Sequence, residues 1–315
     1  MNTSFNNKKI IWIFAFMVLI FWLINANSIV ASLFVAEGNQ IHKVKLEDYE
    51  TKSPVYINVT GESSQGDLFD IFSITGGAFC ETDQNNSQRS IVGILKSDKG
   101  VYAAQGVSAI RPDIYYMFSD TKQIGNGEVG FQLGFSTINI PNGVYQLYIY
   151  VHENDEAYGL ANSGYKYIKD NHGFRPYDYG ASVDLEKITT EEGRISFRFD
   201  DLFKQDDGTL HVKGWQYLND IDCADTNIYL KITSPMNKIE YFELKKFMRI
   251  DIFNIFGDKY LLSGLNADVD FEFFETGIYT MHIIVEKNSN YYISTEYEVV
   301  TVDKQNITAF EHRDQ

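Results

Sequence analysis

The sequence repeats itself, and this repeat limits the possible folds more than any other feature. Arg111-Pro112-Asp113-Ile114 recurs 138 positions later as Arg249-Ile250-Asp251-Ile252. The same shift aligns further apolar and glycine positions: Ile57 with Ile195, Gly76 with Gly214, Ile94 with Ile232, and Phe118 with Phe256. After a four-residue deletion in the second copy, Gly143-Val144-Tyr145 aligns with Gly277-Ile278-Tyr279. Since 315 residues allow about two ordinary domains, the sequence predicts two related units in tandem.

Short β-prone runs separated by turn residues fill both copies. Tyr and Phe dominate an aromatic content of 15%, which favours pleated, half-buried surfaces over helices. The runs that predict strands are 55–59, 71–79, 90–96, 100–102, 144–151 and 165–168 in the first copy, and 195–199, 210–217, 227–232, 277–285 and 297–302 in the second. With about seven short strands in each copy, the pattern predicts an all-β chain of two tandem Ig-like β-sandwich domains.

The N-terminus carries an export signal of one of two kinds. Lys8 and Lys9 precede an apolar run from Ile10 to Ile24, and a second apolar stretch reaches Ala36. The first run alone has the length of a signal-peptide core, whereas the whole of 10–36 is long enough to span a bilayer. In either case the lysines place the N-terminus in the cytoplasm and the bulk of the chain outside. We expect a single-pass membrane protein, or a secreted one if the signal is cleaved.

These features predict the following organisation: a cytoplasmic N-terminus at 1–9, a signal peptide or membrane anchor at 10–36, a stalk at 37–54, a first sandwich at 55–170, a linker at 171–192, a second sandwich at 193–302 and a frayed polar tail at 303–315.

The repeated residues are interpreted as structural. Arg111 with Asp113, and Arg249 with Asp251, are two positions apart, so in an extended segment they point to the same side and can pair. Gly143 and Gly277 are turn glycines, each leading into a strand. Tyr145 and Tyr279 then pack their rings and satisfy their hydroxyls nearby, as a corner tyrosine does.

Three short patterns carry a resemblance to a known class of domains. They are Lys213-Gly214-Trp215, the two Arg-x-Asp-Ile segments and the two Gly-[Val/Ile]-Tyr segments. Together they resemble accessory β-sandwich repeats of bacterial cell-surface and cell-envelope proteins over most of residues 55–302. The first copy departs from the pattern, with Gly77 where the second has Trp215. The resemblance implies a surface module and no enzymatic activity.

Composition and motifs argue against several functions. A net charge of −16, with no clustered Lys or Arg, excludes a nucleic-acid-binding surface. The six histidines show no HExxH motif and no paired metal spacing, and neither Cys80 nor Cys223 has a zinc-type neighbour, so no metal or cofactor is predicted. The two cysteines are not equivalent in the repeat, and whether they form a disulfide stays open. No catalytic residues are predicted.

The best candidate for ligand binding lies in the linker. Arg175, Tyr177 and Tyr179 are close in sequence, and Tyr and Arg are enriched at binding hot spots. The alternative is that these rings simply pack the two sandwiches together. We therefore expect a non-catalytic ectodomain that binds an envelope glycan or a neighbouring surface protein. A glycan hydrolase with paired carboxylates, or a purely structural spacer, are the alternatives.

Overall fold

The computed structural model describes residues 41–65, 71–81, 89–119, 127–138 and 140–313, together with Met17 and Ile124. These residues are nearly all β, which confirms the predicted class. They form two compact units. The first comprises the described residues up to Leu160 and Tyr167–Arg175, and the second comprises Ala161–Lys166 and everything from Pro176 onward.

The first unit contains ten strands and one short α-helix among its described residues, besides a 3-10 turn at Leu46–Asp48. They are β1 (Ile41–Lys43), β2 (Val55–Gln65), β3 (Ile71–Cys80), β4 (Ser90–Ser97), β5 (Gly100–Gln105), β6 (Val107–Ala109), α1 (Pro112–Phe118), β7 (Gly130–Ser136), β8 (Gly143–Asn154), β9 (Ala157–Asp170) and β10 (Gly173–Pro176). Residues 161–166 of β9 are grouped with the second unit.

Two sheets build the first unit. One has the order β1-β5-β4-β8-β9-β10 and the other β2-β3-β7-β6. Their apolar faces pack together: Phe72 of β3 lies 4.8 Å from the ring of Tyr167 on β9 and 4.9 Å from that of Phe174 on β10. Strands β3 and β8 alternate buried and less buried residues over most of their length, as expected for strands with one face in a sandwich core.

The second unit adds another ten strands and a second short helix. They are β11 (Thr190–Gly193), β12 (Ile195–Lys204), β13 (Leu210–Leu218), β14 (Asn227–Thr233), β15 (Ile239–Phe247), α2 (Ile250–Phe256), β16 (Gly264–Val269), β17 (Gly277–Lys287), β18 (Asn290–Ser294), β19 (Tyr297–Asp303) and β20 (Asn306–Arg313). Each run predicted to be a strand lies within an observed one.

The sheets of the second unit are joined through β15. Residues 239–244 of β15 pair with β14, and residues 245–247 pair with β16. The two resulting layers have the orders β20-β19-β17-β14-β15 and β15-β16-β13-β12. The first unit has the corresponding orders β10-β9-β8-β4-β5 and β6-β7-β3-β2. The sequence repeat is therefore a repeat of strand order.

Three predicted boundaries are wrong because backbone pairing extends past them. The expected stalk contributes β1, which pairs with β5. The expected linker contains β10 and β11, and β11 pairs in parallel with β18. The expected polar tail forms β20, which pairs with β19 from Asn306 to Arg313. These segments are polar because they are short or lie at sheet edges, where one side faces water.

The predicted cytoplasmic N-terminus and membrane or signal segment lie outside the described residues, apart from Met17. Within the part of the chain that the structure describes, no helix has the length and apolar character needed to cross a bilayer.

Candidate functional site

The two linker tyrosines use their hydroxyl groups inside the second unit. Tyr177 donates to Glu243 Oε2 at 3.0 Å, and Tyr179 donates to the carbonyl of Gly164 at 3.2 Å. The backbone N–H of Lys166 donates to the Tyr179 hydroxyl at 3.0 Å, and its ammonium pairs with Glu243. Burial, and then the Glu243 carboxylate, raise the pKa of Tyr177 to about 12. Both rings are thus engaged in packing.

The remaining linker residues divide between the two units. Arg175 belongs to the first unit, is exposed and pairs with Asp170, Nε to Oδ2, at 3.4 Å. Tyr167 and Phe174 are buried in the core of that unit. The linker residues therefore do not assemble into a cleft within either unit.

The Arg-x-Asp motif forms a bidentate ion pair between the arginine and the aspartate in each unit. Arg111 donates from Nε to Asp113 Oδ1 at 2.8 Å and from Nη2 to Oδ2 at 2.6 Å. Arg249 makes the same contacts to Asp251 at the same two distances. The predicted extended geometry is wrong, because each arginine precedes a short helix and each aspartate lies in its first turn. An acidic side chain there meets unpaired backbone N–H groups.

The remaining guanidinium nitrogen of each arginine, Nη1, donates a hydrogen bond to the extra residue of a β-bulge. In β2 the extra residue is Thr60, and in β12 it is Asp200. Arg111 Nη1 donates to the Thr60 hydroxyl at 2.8 Å, and Arg249 Nη1 donates to Asp200 Oδ2 at 2.5 Å. The motif thus ties the start of a helix to an irregular point in a neighbouring strand.

The repeated glycines Gly76 and Gly214 lie opposite these bulges. A Cβ at Gly76 would come within 2.3 Å of the Asn58 carbonyl oxygen, and one at Gly214 within 2.1 Å of the Arg198 carbonyl oxygen. Any side chain at either position would push the bulged strand away. The glycine, the bulge and the arginine therefore form one structural unit, which occurs twice.

The repeated tyrosines bond to the turn that precedes them. Tyr145 donates to the carbonyl of Pro141 at 2.7 Å, and Tyr279 donates to the carbonyl of Glu275 at 3.1 Å. Both rings are fully buried. The bond spans four residues in each copy, and each tyrosine closes the turn that contains its glycine, Gly143 or Gly277.

A groove in the second unit runs beside β12 and β20 and is the candidate binding site. One part of it, about 620 Å³, is lined by Ser196, Phe197, Arg198, Phe199, Asp200, Trp215, Glu296, Glu298, Phe310 and His312. A second part, about 450 Å³, is lined by residues 202–204 of β12 and 306–310 of β20. Phe310 lines both parts. Trp215 supplies a ring that the first unit lacks, since Gly77 takes its place there.

A histidine bridges two glutamates on one side of the groove. Glu298 of β19 and His312 of β20 are register partners, so they face the same side of the sheet. His312 Nδ1 lies 3.1 Å from Glu298 Oε1, and Nε2 lies 3.0 Å from Glu296 Oε2. Both ring nitrogens therefore face carboxylate oxygens.

Glu298 is buried, and one of its oxygens lacks a donor. Its side chain is 2% exposed. Oε2 is buried and accepts no hydrogen bond from any described residue. Burial raises the pKa of Glu298, and the charge of His312 partly offsets this. A buried carboxylate oxygen without a partner costs free energy.

A second buried ion pair lies in the first unit. Arg89 Nε is 3.1 Å from Glu153 Oε1, and both side chains are largely buried. Arg89 also donates to the carbonyls of Ala78 and Val129, so the pair anchors backbone on β3 and near β7. In the described part of the chain, no three His, Cys, Asp or Glu side chains are grouped so as to hold a metal ion.

Both cysteines are free thiols in the interior of their units. Burial raises the pKa of Cys80 and of Cys223 to about 12 in each case. A thiol with so high a pKa is almost entirely protonated at neutral pH, and the thiolate is the reactive form. These cysteines are therefore structural.

Sequence reasoning missed the groove residues Glu298 and His312. They are brought together by pairing across the β19–β20 hairpin, whose turn residues Lys304 and Gln305 both have left-handed backbone angles, with φ of 51° and 66°. Such a two-residue turn is usually marked by Asn-Gly. Ile307 and Phe310 are the large apolar residues of this segment, and the residues from 307 to 312 do not alternate regularly between apolar and polar, so the sequence shows no clear strand pattern there.

Comparison with known proteins assigns this chain to no family. No family model matches it, and no curated protein matches it. Among solved structures it is similar to the FN1–FN3 domains of chicken CNTN1, with 8% identity over 83% of this chain and 67% of that one and a TM-score of 0.20. It is also similar to the C-terminal domain of the Streptococcus agalactiae AgI/II polypeptide BspA, with 9% identity over 79% and 100% of the two chains and a TM-score of 0.15.

Proposed function

We propose that this protein is a non-catalytic surface ectodomain, tethered to the membrane or secreted, which binds an envelope glycan or a neighbouring surface protein. In this proposal the two units are tandem Ig-like domains behind an N-terminal anchor or signal peptide. The groove beside β12 and β20 is the binding site. The observation that carries the proposal is a groove of about 620 Å³ in which the rings of Trp215 and Phe310 lie beside the polar side chains of Arg198, Glu298 and His312.

The arrangement of polar groups supports binding over hydrolysis. A glycoside hydrolase uses one carboxyl as an acid and another as a base or nucleophile on either side of the bond. Here Glu296 and Glu298 both face the same imidazole ring, that of His312. Ser196 also lines the groove. Both nitrogens of His312 are occupied by carboxylates, so neither is left to accept a proton from Ser196 as a serine nucleophile requires.

The test is retention on isolated cell envelope. Full-length protein in detergent micelles is mixed with envelope fragments and sedimented. We expect the wild type to co-sediment without releasing soluble sugar, and Glu298→Gln to reduce retention at least several-fold. Glu311→Gln is the matched control, because Glu311 lies on β20, is exposed and pairs with Arg313 at the surface.

Two outcomes would overturn the proposal. Release of soluble sugar that is abolished by Glu298→Gln would make the protein a hydrolase. Absence of retention for the wild type would leave the structural spacer as the remaining account.

The proposed location has a separate test. Lys8 and Lys9 precede an apolar stretch that extends to Ala36, so the chain after residue 37 is expected outside the cytoplasm. Protease added to cells with a permeable outer surface should digest this region. Complete protection would refute export. N-terminal sequencing of the mature protein then separates a retained anchor from a cleaved signal.

A further inference from the structure

We infer that the first unit rests on the lipid surface through an apolar patch of four exposed side chains, those of Val107, Ile110, Tyr116 and Met117. This inference rests on the anchored form of the proposed function, in which residues 10–36 lie in the membrane. It is carried by the exposure of the patch, by the direction in which the chain enters the unit, and by a comparison with the second unit.

The side chains of the apolar patch are large, yet they face solvent. Their exposed fractions are 66% for Val107, 68% for Ile110, 73% for Tyr116 and 45% for Met117. All four lie on β6, on α1 or on the short connection between them. Ile114 and Phe118 form the buried side of α1, so Tyr116 and Met117 point away from the core. A group of exposed apolar residues marks an interaction site, and tyrosine is enriched where a protein meets the interface between lipid and water.

The chain enters the first unit in the direction of the apolar patch. Strand β1 is antiparallel to β5, with Ile41 opposite Ala104, so the residues that precede Ile41 run towards the end of β5. The backbone N–H of Gly106 then donates to the carbonyl of Ile91, the residue before Val92, which pairs with the last residue of β5. The chain therefore keeps its direction from β5 into β6 and the patch.

The distances along the chain place the patch near the membrane. Ile110 follows Ala104 by six residues, which is about 20 Å at the usual rise of a strand. Five residue steps separate Ile41 from Ala36, where the apolar N-terminal stretch ends, and a chain of that length spans at most about 18 Å. A membrane segment that ends at Ala36 therefore keeps this end of the unit close to the lipid surface.

The second unit does not repeat the apolar patch. The shift of 138 positions that aligns the two helices places Lys245, Met248 and Asn254 at three of the four positions. Lys245 and Asn254 are polar, and Met248 packs against a buried cluster. Met117 alone among the four has an exposed apolar counterpart, Ile255 at 70%. Since both units share the helix and its Arg-x-Asp motif, the fold itself does not require the patch.

The charge around the patch favours apolar contact over attraction to anionic headgroups. Arg111 is paired with Asp113, and Glu128, next to the glycine whose carbonyl accepts from the Arg111 backbone N–H, is exposed. The chain carries a net charge of −16, which repels anionic surfaces. The strength of interfacial binding follows the buried apolar area and the attraction to anionic lipids. Here the first of these supports the contact, so zwitterionic lipids suffice.

The experiment places a fluorophore on the patch of the full-length protein in phosphatidylcholine nanodiscs. Both native cysteines are buried thiols, so a Met117→Cys variant takes an NBD maleimide at one position. We expect the NBD emission to shift to shorter wavelength and to be quenched by lipids that carry a nitroxide near the headgroup. Ile255→Cys is the matched control, because it has the equivalent position on α2 and is also exposed. Its label should keep the emission of a label in water.

Substitutions elsewhere in the patch separate docking from mere closeness to the membrane. Val107→Ser, Ile110→Ser and Tyr116→Ser, combined in the Met117→Cys protein, should abolish the quenching. All three side chains are exposed, so thermal unfolding should stay close to that of the parent protein. The comparison of Met117→Cys with Ile255→Cys stands alone if the combined variant does not fold. Unquenched emission at position 117, equal quenching at both labelled positions, stronger quenching in anionic lipid alone, or quenching that survives the three substitutions would overturn the inference.

The outcomes also separate this inference from the proposed function. Quenching at position 117 without retention on envelope fragments supports the lipid contact and removes the binding function. Retention on envelope without quenching keeps the binding function and shows that the first unit stands clear of the lipid. Cleavage of the N-terminal segment in cells would overturn the inference, because the anchored form would then not exist.

Discussion

Arg249 Nη1 donates to Asp200 Oδ2 at 2.5 Å and so joins the start of helix α2 to the bulge of strand β12. In the first unit Arg111 makes the equivalent contact, to Thr60 at 2.8 Å. The bulge residue differs, yet the arginine and its helix-borne aspartate are the same. A hydroxyl and a carboxylate both accept a hydrogen bond, so the repeat preserves an acceptor at the bulge and not a particular side chain.

Removing either arginine should destabilise its own unit. Arg249→Ala leaves Asp200 and Asp251 without their donor, and Arg111→Ala does the same to Thr60 and Asp113. We expect each change to lower the free energy of unfolding by about 1–3 kcal/mol, because each partly buried guanidinium group makes three charge-assisted hydrogen bonds that are lost. Chemical denaturation followed by circular dichroism measures the loss.

The control for the arginine variants is Arg313→Ala. Arg313 is more than half exposed and pairs with Glu311 at the surface, so its loss should change stability by less than about 1 kcal/mol. An Arg249→Ala protein as stable as the wild type that fails to bind envelope would contradict the structural role and assign the arginine to ligand binding.

The sequence predicted the repeated framework because the repeat itself marks the residues that build it. Pairing of Arg111 with Asp113 followed from their spacing, although the helix there was missed. Pro112 at the first helical position was the available signal, since its fixed φ suits that place. Residue spacing therefore predicted the ion pair even where the local backbone was misjudged.

The groove was not predictable, because its key residues are joined by strand pairing and not by spacing. Glu298 and His312 are 14 positions apart and meet only if the chain turns at Lys304-Gln305. Left-handed backbone angles are unfavourable for these residues, and Lys-Gln is not one of the sequences typical of such a turn. Without that turn, residues 303–315 looked like a polar tail. In the sequence, the aromatic residues of the linker indicated a binding site more clearly than the residues that line the groove.

Removing the hydroxyl group of either corner tyrosine should destabilise the protein less than removing either arginine. Tyr145→Phe and Tyr279→Phe each remove one hydroxyl that bonds to a turn carbonyl and leave the ring in place. We expect each change to cost about 0.5–1.5 kcal/mol, the usual net value of such a bond. Tyr116→Phe is the control, since that side chain is 73% exposed. Equal stability of all three variants would show that the hydroxyl contacts contribute nothing.

The cysteines should behave as buried thiols. In the native protein at pH 8, neither Cys80 nor Cys223 should react with iodoacetamide over minutes, because both are buried and their pKa values are raised to about 12. In denaturant without reductant, mass spectrometry should find two labelled sites. Finding no label until a reductant is added would reveal a disulfide and contradict the free-thiol structure.

Lys246 is the buried cation on which the last prediction rests. Its ammonium group donates to the carbonyls of Cys223, Ala224 and Thr226 at 2.8, 2.9 and 2.6 Å. Lys246→Met would leave three carbonyls without this donor, and we expect a loss of about 2–3 kcal/mol near pH 7. Lys245→Met is the matched control, because Lys245 is less buried and its ammonium lies over the ring of Tyr165 at 4.1 Å. Its loss should cost about 1 kcal/mol or less.

The difference between wild type and Lys246→Met should also depend on pH. Burial lowers the pKa of Lys246 from 10.5 to about 8. Between these values the unfolded chain binds a proton that the folded chain has released, so this group adds stability as pH rises from about 8 towards 10.5. The free energy of unfolding of the wild type, relative to Lys246→Met, should therefore rise by at most about 1.4 kcal/mol per pH unit in this window. Titrating tyrosines affect both proteins alike and cancel in the difference. A flat difference from pH 7.5 to 10.5 would show that the three carbonyls hold the ammonium charged against its burial.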